Sequence, residues 1–216
     1  MTPPRTLWNA RLLDGRGGAP VPRVAVTIED GRIAGIESAH GDPPADAIDL
    51  AGRTLMPGLI DAHAHILSDT SRSPGFGPPP PKHGDDPRPR ELGYFILANM
   101  ARALLRAGIT TVRDVGAFDG EAIVLRRAVE LGLVEGPRIL SCGKIVTATA
   151  PGARIFGTMY READGPWEMR KAVREQIRDG ADYIKIMATG ARSVVREDPE
   201  PAQMTREEIA AVVDEA

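Results

Sequence analysis

The stretch Leu55-Met56-Pro57-Gly58-Leu59-Ile60-Asp61-Ala62-His63-Ala64-His65 decides how this chain is read. The apolar run from Leu59 reads as a buried strand. Side chains two apart on a strand share a face. His63 and His65 therefore project together, with Asp61 on the same side, while Ile60, Ala62 and Ala64 pack on the other. Two neutral imidazoles converging on one point make half a site for a transition metal. Two histidines alone do not fix a metal, so the remaining ligands must come from elsewhere in the fold.

Before this stretch the chain reads as short β structure. Val24-Ala25-Val26-Thr27-Ile28 alternates, Asp30-Gly31 supplies a two-residue hairpin turn, and Arg32-Ile33-Ala34-Gly35-Ile36 returns. Gly41 to Ala45 is a polar loop, and Ala47 to Leu55 offers one further strand. After Met56, apolar strand-like runs at Leu59–Ile66, Thr110–Val115, Arg138–Cys142 and Tyr183–Met187 alternate with helical patterns. Leu92 to Ala107 repeats apolar residues at three and four through Leu92, Phe95, Ile96, Met100 and Leu104, and Glu121 to Leu131 does the same. Trp167 to Arg178 is entered through Asp164-Gly165-Pro166, with proline in the first turn, where its missing N–H is tolerated. Thr205-Arg206-Glu207-Glu208 fits a capping box that opens a last helix. Strands and helices in alternation, with the strands buried, imply parallel βα units and an α/β fold class.

The segment Ser71 to Arg90 breaks this rhythm with Pro74, Pro78 to Pro81, Pro87 and Pro89. It reads as a surface loop, extended where the prolines cluster. Leaving the end of the histidine-bearing strand, it is either a substrate lid or a tolerated insertion. His83 within it reads as a solvated residue.

The 216 residues, 42% hydrophobic and 26% charged, are enough to bury a sizeable core, and the composition is ordinary for a water-soluble globular protein. A net charge of −3 with both signs interspersed argues against nucleic acid or an anionic membrane as partner. No run reaches the roughly 20 apolar residues of a membrane span, and Met1 to Ala10 has no signal-peptide core, so a cytoplasmic location is expected. The single cysteine, Cys142, excludes an internal disulfide and every Cys-rich zinc motif; in its apolar run it reads as a buried thiol. Gly143-Lys144 lacks a P-loop's spacing, and there is no His-Glu-x-x-His and no Gly-x-Ser-x-Gly.

Lys185, in Asp182-Tyr183-Ile184-Lys185-Ile186-Met187, is the next candidate ligand. A desolvated ammonium costs several kcal/mol unless it is paired. Burial therefore lowers its pKa and frees the amine for chemistry. A neutral lysine amine adds carbon dioxide to give a carbamate, a two-oxygen anion able to bridge two cations. Equally, its amine can reach a nearby carboxylate or the solvent at a barrel mouth.

The histidine stretch, together with Ala107-Gly108-Ile109-Thr110-Thr111-Val112-Arg113-Asp114-Val115-Gly116 and Gly180-Ala181-Asp182-Tyr183-Ile184-Lys185-Ile186, resembles the metal-dependent amidohydrolase superfamily. The branch it resembles is the Xaa-Pro dipeptidase and imidazolonepropionase-related group, closest to members with a carboxylated lysine. The resemblance implies the N-terminal half of a (β/α)8 TIM-like barrel over residues 57–216, preceded by part of a small β-sandwich over residues 1–56. It implies that His63 and His65 bind the more buried metal after strand one. Lys185, as a carbamate after strand four, would bridge two divalent ions, with zinc expected. The implied function is hydrolysis of a C–N bond in a small-molecule amide or dipeptide by a metal-activated hydroxide. Asp114 reads as structural, paired with Arg113 or a neighbouring backbone, rather than catalytic. Alternatives are a cyclic-amide hydrolase or deaminase of the same superfamily, or a non-catalytic half-barrel that self-associates; a homo-oligomer is compatible with each.

The family pattern also calls for histidines after strands five and six and a proton-moving aspartate after strand eight. Past Lys185 this chain has no histidine, and it stops at Ala216. The expectation is therefore the N-terminal half of a longer enzyme, with its catalytic aspartate beyond residue 216. Between Thr147 and Tyr160, where relatives carry a glycine-rich segment with a histidine, this chain has Pro151-Gly152-Ala153-Arg154.

Overall fold

The computed structural model of the chain describes residues 5–67 and 91–216. The proline-rich segment Ser71–Arg90, with His83, lies outside the described residues. The chain divides between Gly58 and Leu59 into two compact units.

The first unit is one five-stranded sheet. Strands β1 (Arg5–Leu12), β2 (Val21–Glu29) and β3 (Arg32–Ser38) pair antiparallel in the order β3-β2-β1. The β2–β3 hairpin turns at Asp30 and Gly31, whose φ values of 48° and 74° are the positive pair that a type I′ turn needs. The single strand expected over Ala47–Leu55 is instead two short ones, β4 (Ile48–Asp49) and β5 (Thr54–Leu55), both parallel to β1. Between them Ala51 and Gly52 take positive φ, and the Asp49 carboxylate accepts the Ala51 N–H at 2.8 Å. This local bond competes with the ladder and breaks the strand. Ala10, Val24, Ala25 and Val26 are this unit's buried apolar residues in β1 and β2. Over the residues expected to form part of a β-sandwich, the described chain forms this single sheet.

The second unit is mixed α/β with parallel strands. Strand β6 (Leu59–Ala64) pairs β7 (Ile109–Asp114), which pairs β8 (Arg138–Ser141). Helix α1 (Leu92–Arg106) lies between β6 and β7 in sequence, and α2 (Glu121–Glu130) between β7 and β8. The third expected strand, Arg138–Cys142, is β8, and after it Cys142-Gly143-Lys144 leads out of that sheet. The chain resumes as β9 (Ile145–Thr147), which pairs β10 (Tyr160–Glu162) on one side and β11 (Ile186–Met187) on the other. The Gln176 side chain of α4 (Gly165–Arg178) accepts the Lys144 N–H at 2.8 Å. Gly143, at φ 67°, leaves the space that Gln176 occupies. The short helix α3 (Gly152–Phe156) precedes β10, and α5 (Arg206–Glu215) closes the described chain. The strands of each sheet run parallel, in the orders β6-β7-β8 and β10-β9-β11, and among the described residues they form two three-stranded sheets rather than a closed barrel.

Three expectations for this unit need correction. Strand β6 is not buried, since Ile60 is 69% exposed and Leu59 and Ala62 are open; among the described residues β6 is an edge strand with β7 as its one partner. Only Ala64 of the expected apolar face packs against the core. The strand expected over Tyr183–Met187 is reduced to Ile186–Met187, because β9 offers only three residues to pair with. Helix α1 buries Leu97 and Ala101, with Met100 and Leu104 beside them, while Phe95 is 69% exposed. Of the apolar repeat that marks the helix, Met100 and Leu104 pack against the core, while Leu92 and Ile96 stay exposed.

One core gathers Leu97, Ala101, Val112, Leu125 and Ile139 around β7 and β8, and a second gathers Val146, Met169, Val173, Met204 and Val212. Capping-box bonds between Thr205 and Glu208 open α5, as the sequence predicts. No helix among the described residues is long and apolar enough to cross a membrane.

Candidate metal centre

His63 is the penultimate residue of β6, and His65 lies just past the strand's end. Their rings stand edge to face with centroids 6.1 Å apart and planes at 72°. Asp61, on the same strand, accepts the His63 N–H at 3.1 Å through Oδ1. A nitrogen ligand sits about 2 Å from zinc, so two imidazoles sharing one ion have ring centres about 5–6 Å apart. The observed pair stands at the outer edge of that spacing.

The His65 ring is held by its other side. Nδ1 lies 2.8 Å from the Gly116 carbonyl oxygen. A carbonyl only accepts, so this bond requires the proton on Nδ1, and the neutral ring then carries its basic lone pair on Nε2. Metal-ligating histidines almost always donate their second ring N–H in this way. The chemistry and spacing of the two histidines fit a zinc-like ion.

Asp114, the last residue of β7, is fully buried. Its carboxylate accepts the Ile66 N–H at 3.1 Å and the Ser141 hydroxyl at 2.8 Å. Burial nevertheless outweighs these bonds and pushes the carboxyl up to about 6. The expected partner Arg113 is not part of this arrangement: its guanidinium lies 4.0 Å from the centre of the Tyr183 ring. The Tyr183 hydroxyl donates to the Asp114 backbone carbonyl, so Asp114 meets β6, β8 and the approach to β11 at once. Cys142 is fully buried, and desolvation pushes its thiol up to about 12.

Lys185 is half-buried and stands just before β11 rather than within an apolar strand. Its carbonyl accepts the Val146 N–H at 2.9 Å, which joins its backbone to β9. No group of three or more His, Cys, Asp or Glu suited to a metal occurs among the described residues. The structure thus brings His63 and His65 together at the end of β6 and places Lys185 just before β11.

Sequence reading missed Gly116 and Ser141. The signal available was Asp114-Val115-Gly116 directly after the second strand, an acidic residue and a glycine where the chain leaves the sheet.

Comparison with known proteins matches residues 54–216 to the Amidohydrolase family. Ochratoxinase of Aspergillus niger is 30% identical over 98% of this chain and 48% of its own length. A prolidase solved in complex with N-methylphosphonate-L-proline superposes with a TM-score of 0.80 at 32% identity, covering 99% of this chain and 53% of that one. A Xaa-Pro dipeptidase with methionine bound in its active site gives a TM-score of 0.80 at 28% identity, over 99% and 54%. The chain spans about half the length of each.

Proposed function

This chain belongs to the amidohydrolase family, and from that premise we propose that it supplies the first half of a (β/α)8 barrel hydrolase cleaving the C–N bond of a dipeptide-like substrate. The observation that carries this reading is the His63–His65 pair, with the His65 Nδ1 proton committed to the Gly116 carbonyl. The substrate class is supported by the solved relatives, one with a phosphonate analogue containing proline and one with methionine in its active site.

His63 and His65 would hold a divalent cation, with zinc the best fit to two imidazoles. Lys185 would join them as a carbamate. Its formation needs a neutral amine: the Nζ–C bond forms on carbon dioxide and one proton leaves. When bound, the cation supplies Lewis acidity, polarising a carbonyl and lowering the pKa of water from about 15.7 towards about 7. The residues of this chain supply orientation. Asp61 fixes the His63 backbone, Gly116 fixes the His65 ring, and pairing with β9 fixes the backbone of Lys185.

The test uses the whole protein that carries this chain, loaded with Zn2+ and assayed for proline release from Xaa-Pro dipeptides. Hydrolysis at enzymic rates is expected, with about two ions per molecule, the number the proposed carbamate would serve together with the histidines. His63→Ala and His65→Ala should remove both metal and activity. Unchanged metal content in Lys185→Ala would sink the carbamate. Zinc-loaded protein inert toward every dipeptide offered would sink the substrate class.

A further inference from the structure

Three consecutive residues at the end of β7 grip three consecutive residues at the end of β6. The Val115 N–H donates to the Ala64 carbonyl at 2.8 Å. His65 Nδ1–H donates to the Gly116 carbonyl at 2.8 Å, and the Ile66 N–H donates to Asp114 Oδ1 at 3.1 Å. Only the first of these resembles a sheet-ladder bond. The other two need a side chain from one strand end and a ring from the other.

Both outer bonds depend on neighbours beyond β6 and β7. Asp114 Oδ2 accepts the Ser141 hydroxyl at 2.8 Å, and Ser141 Oγ in turn accepts the Gly143 N–H at 3.1 Å. At the other end Gly116 has a φ of 136°, and a Cβ there would stand 2.6 Å and 2.7 Å from Cγ1 and Cδ1 of Ile145. Glycine is therefore what lets this carbonyl take its position.

We infer that Asp114 and Gly116 are positioning residues that set the tautomer and orientation of His65 before any ion arrives. Free neutral histidine favours the proton on Nε2; the clamp holds it on Nδ1. A ligand already in its binding form spares the rearrangement that would otherwise weaken binding. The benefit to metal affinity rests on the proposed role of His65 as a ligand, whereas the tautomer does not.

The test is long-range nitrogen–proton correlation NMR of the metal-free chain, labelled with 15N-histidine, above the pH at which imidazole titrates. His65 is expected to carry its proton on Nδ1, with exposed His40 in the ordinary Nε2–H form as the internal reference. Gly116→Ala and, separately, Asp114→Ala should shift His65 toward the Nε2–H or an averaged pattern. In calorimetry the folded variants should bind Zn2+ roughly 10–100-fold more weakly. A proton on Nε2 in the unsubstituted chain overturns the inference, and that measurement needs neither variant to fold. A tautomer unmoved in both folded variants overturns it too. A chain with the proton on Nδ1 that takes up no Zn2+ leaves the clamp standing and removes the metal reading instead.

Discussion

The hydroxyl of Ser141 donates to the carboxylate of Asp114 at 2.8 Å, with both side chains fully buried between parallel strands. The pair ties β7 to β8 at the strand ends where the candidate metal centre begins. It also leaves a carboxyl group in surroundings that penalise its charge.

That penalty gives a pH dependence of defined sign. Burial raises the Asp114 carboxyl from 3.8 to about 6. Between those values the unfolded chain releases this proton while the folded chain keeps it. The contribution of Asp114 is therefore fully present below pH 3.8 and is lost as pH rises through about 6. The shift corresponds to about 3 kcal/mol at neutral pH. Urea unfolding of the chain and of Asp114→Asn, compared from about pH 4 to about pH 7, should show the unsubstituted chain losing about that much relative to the variant. A constant difference across the range would count against the burial argument.

Cys142 should be inert in the folded chain. Its thiol is buried and pushed up to about 12, so near pH 8 its thiolate fraction is roughly 1,000-fold below that of an ordinary cysteine with a pKa of about 8.5. Alkylation by iodoacetamide is expected to be at least that much slower than in urea-unfolded chain. Rapid modification without unfolding would show that the strand end opens.

The two faces of α1 make a direct contrast. Leu97→Ala removes a fully buried side chain and should cost about 2–5 kcal/mol. Phe95→Ala, at a larger but 69% exposed residue, should change stability of this chain by no more than about 0.5 kcal/mol. Denaturant midpoints for the two variants check the face assignment, and equal losses would refute it.

What the sequence disclosed depended on how far apart the interacting residues lie. The capping box at Thr205–Glu208 and the turn at Asp30-Gly31 were legible because each is settled within four residues. The histidine pair was legible because strand geometry alone brings residues two apart together. The further strand Ile145–Thr147 was not legible: the Lys144 N–H just before it is held by Gln176, on a helix more than thirty residues later. The bond from His65 to Gly116 spans 51 positions, and its geometry depends on how β6 and β7 end. The openness of β6 was hidden for a related reason. Apolar residues in a strand state what it is able to bury, and an edge strand leaves part of that surface bare.

Glu208 links the starts of two helices. One carboxylate oxygen accepts the Gly165 N–H at 2.7 Å at the opening of α4, and the other accepts the Thr205 N–H at 2.7 Å at the opening of α5. The Thr205 and Gly165 amides hold the carboxyl below its ordinary value. Its contribution is thus present above pH 4.5 and is lost as pH falls through the lowered folded value. Glu208→Ala leaves two amides without their carboxylate and should cost about 1–3 kcal/mol at neutral pH. Glu208→Gln keeps an accepting oxygen but cannot ionise, so it should cost less and flatten the acid limb of the stability profile. Unfolding curves of the three proteins at neutral and acid pH separate these effects. An acid limb equally steep in Glu208→Gln would place the acid sensitivity at other carboxylates, such as Glu175 beside Arg161 or Glu215 beside Arg174, whose pKa values are lowered by those partners.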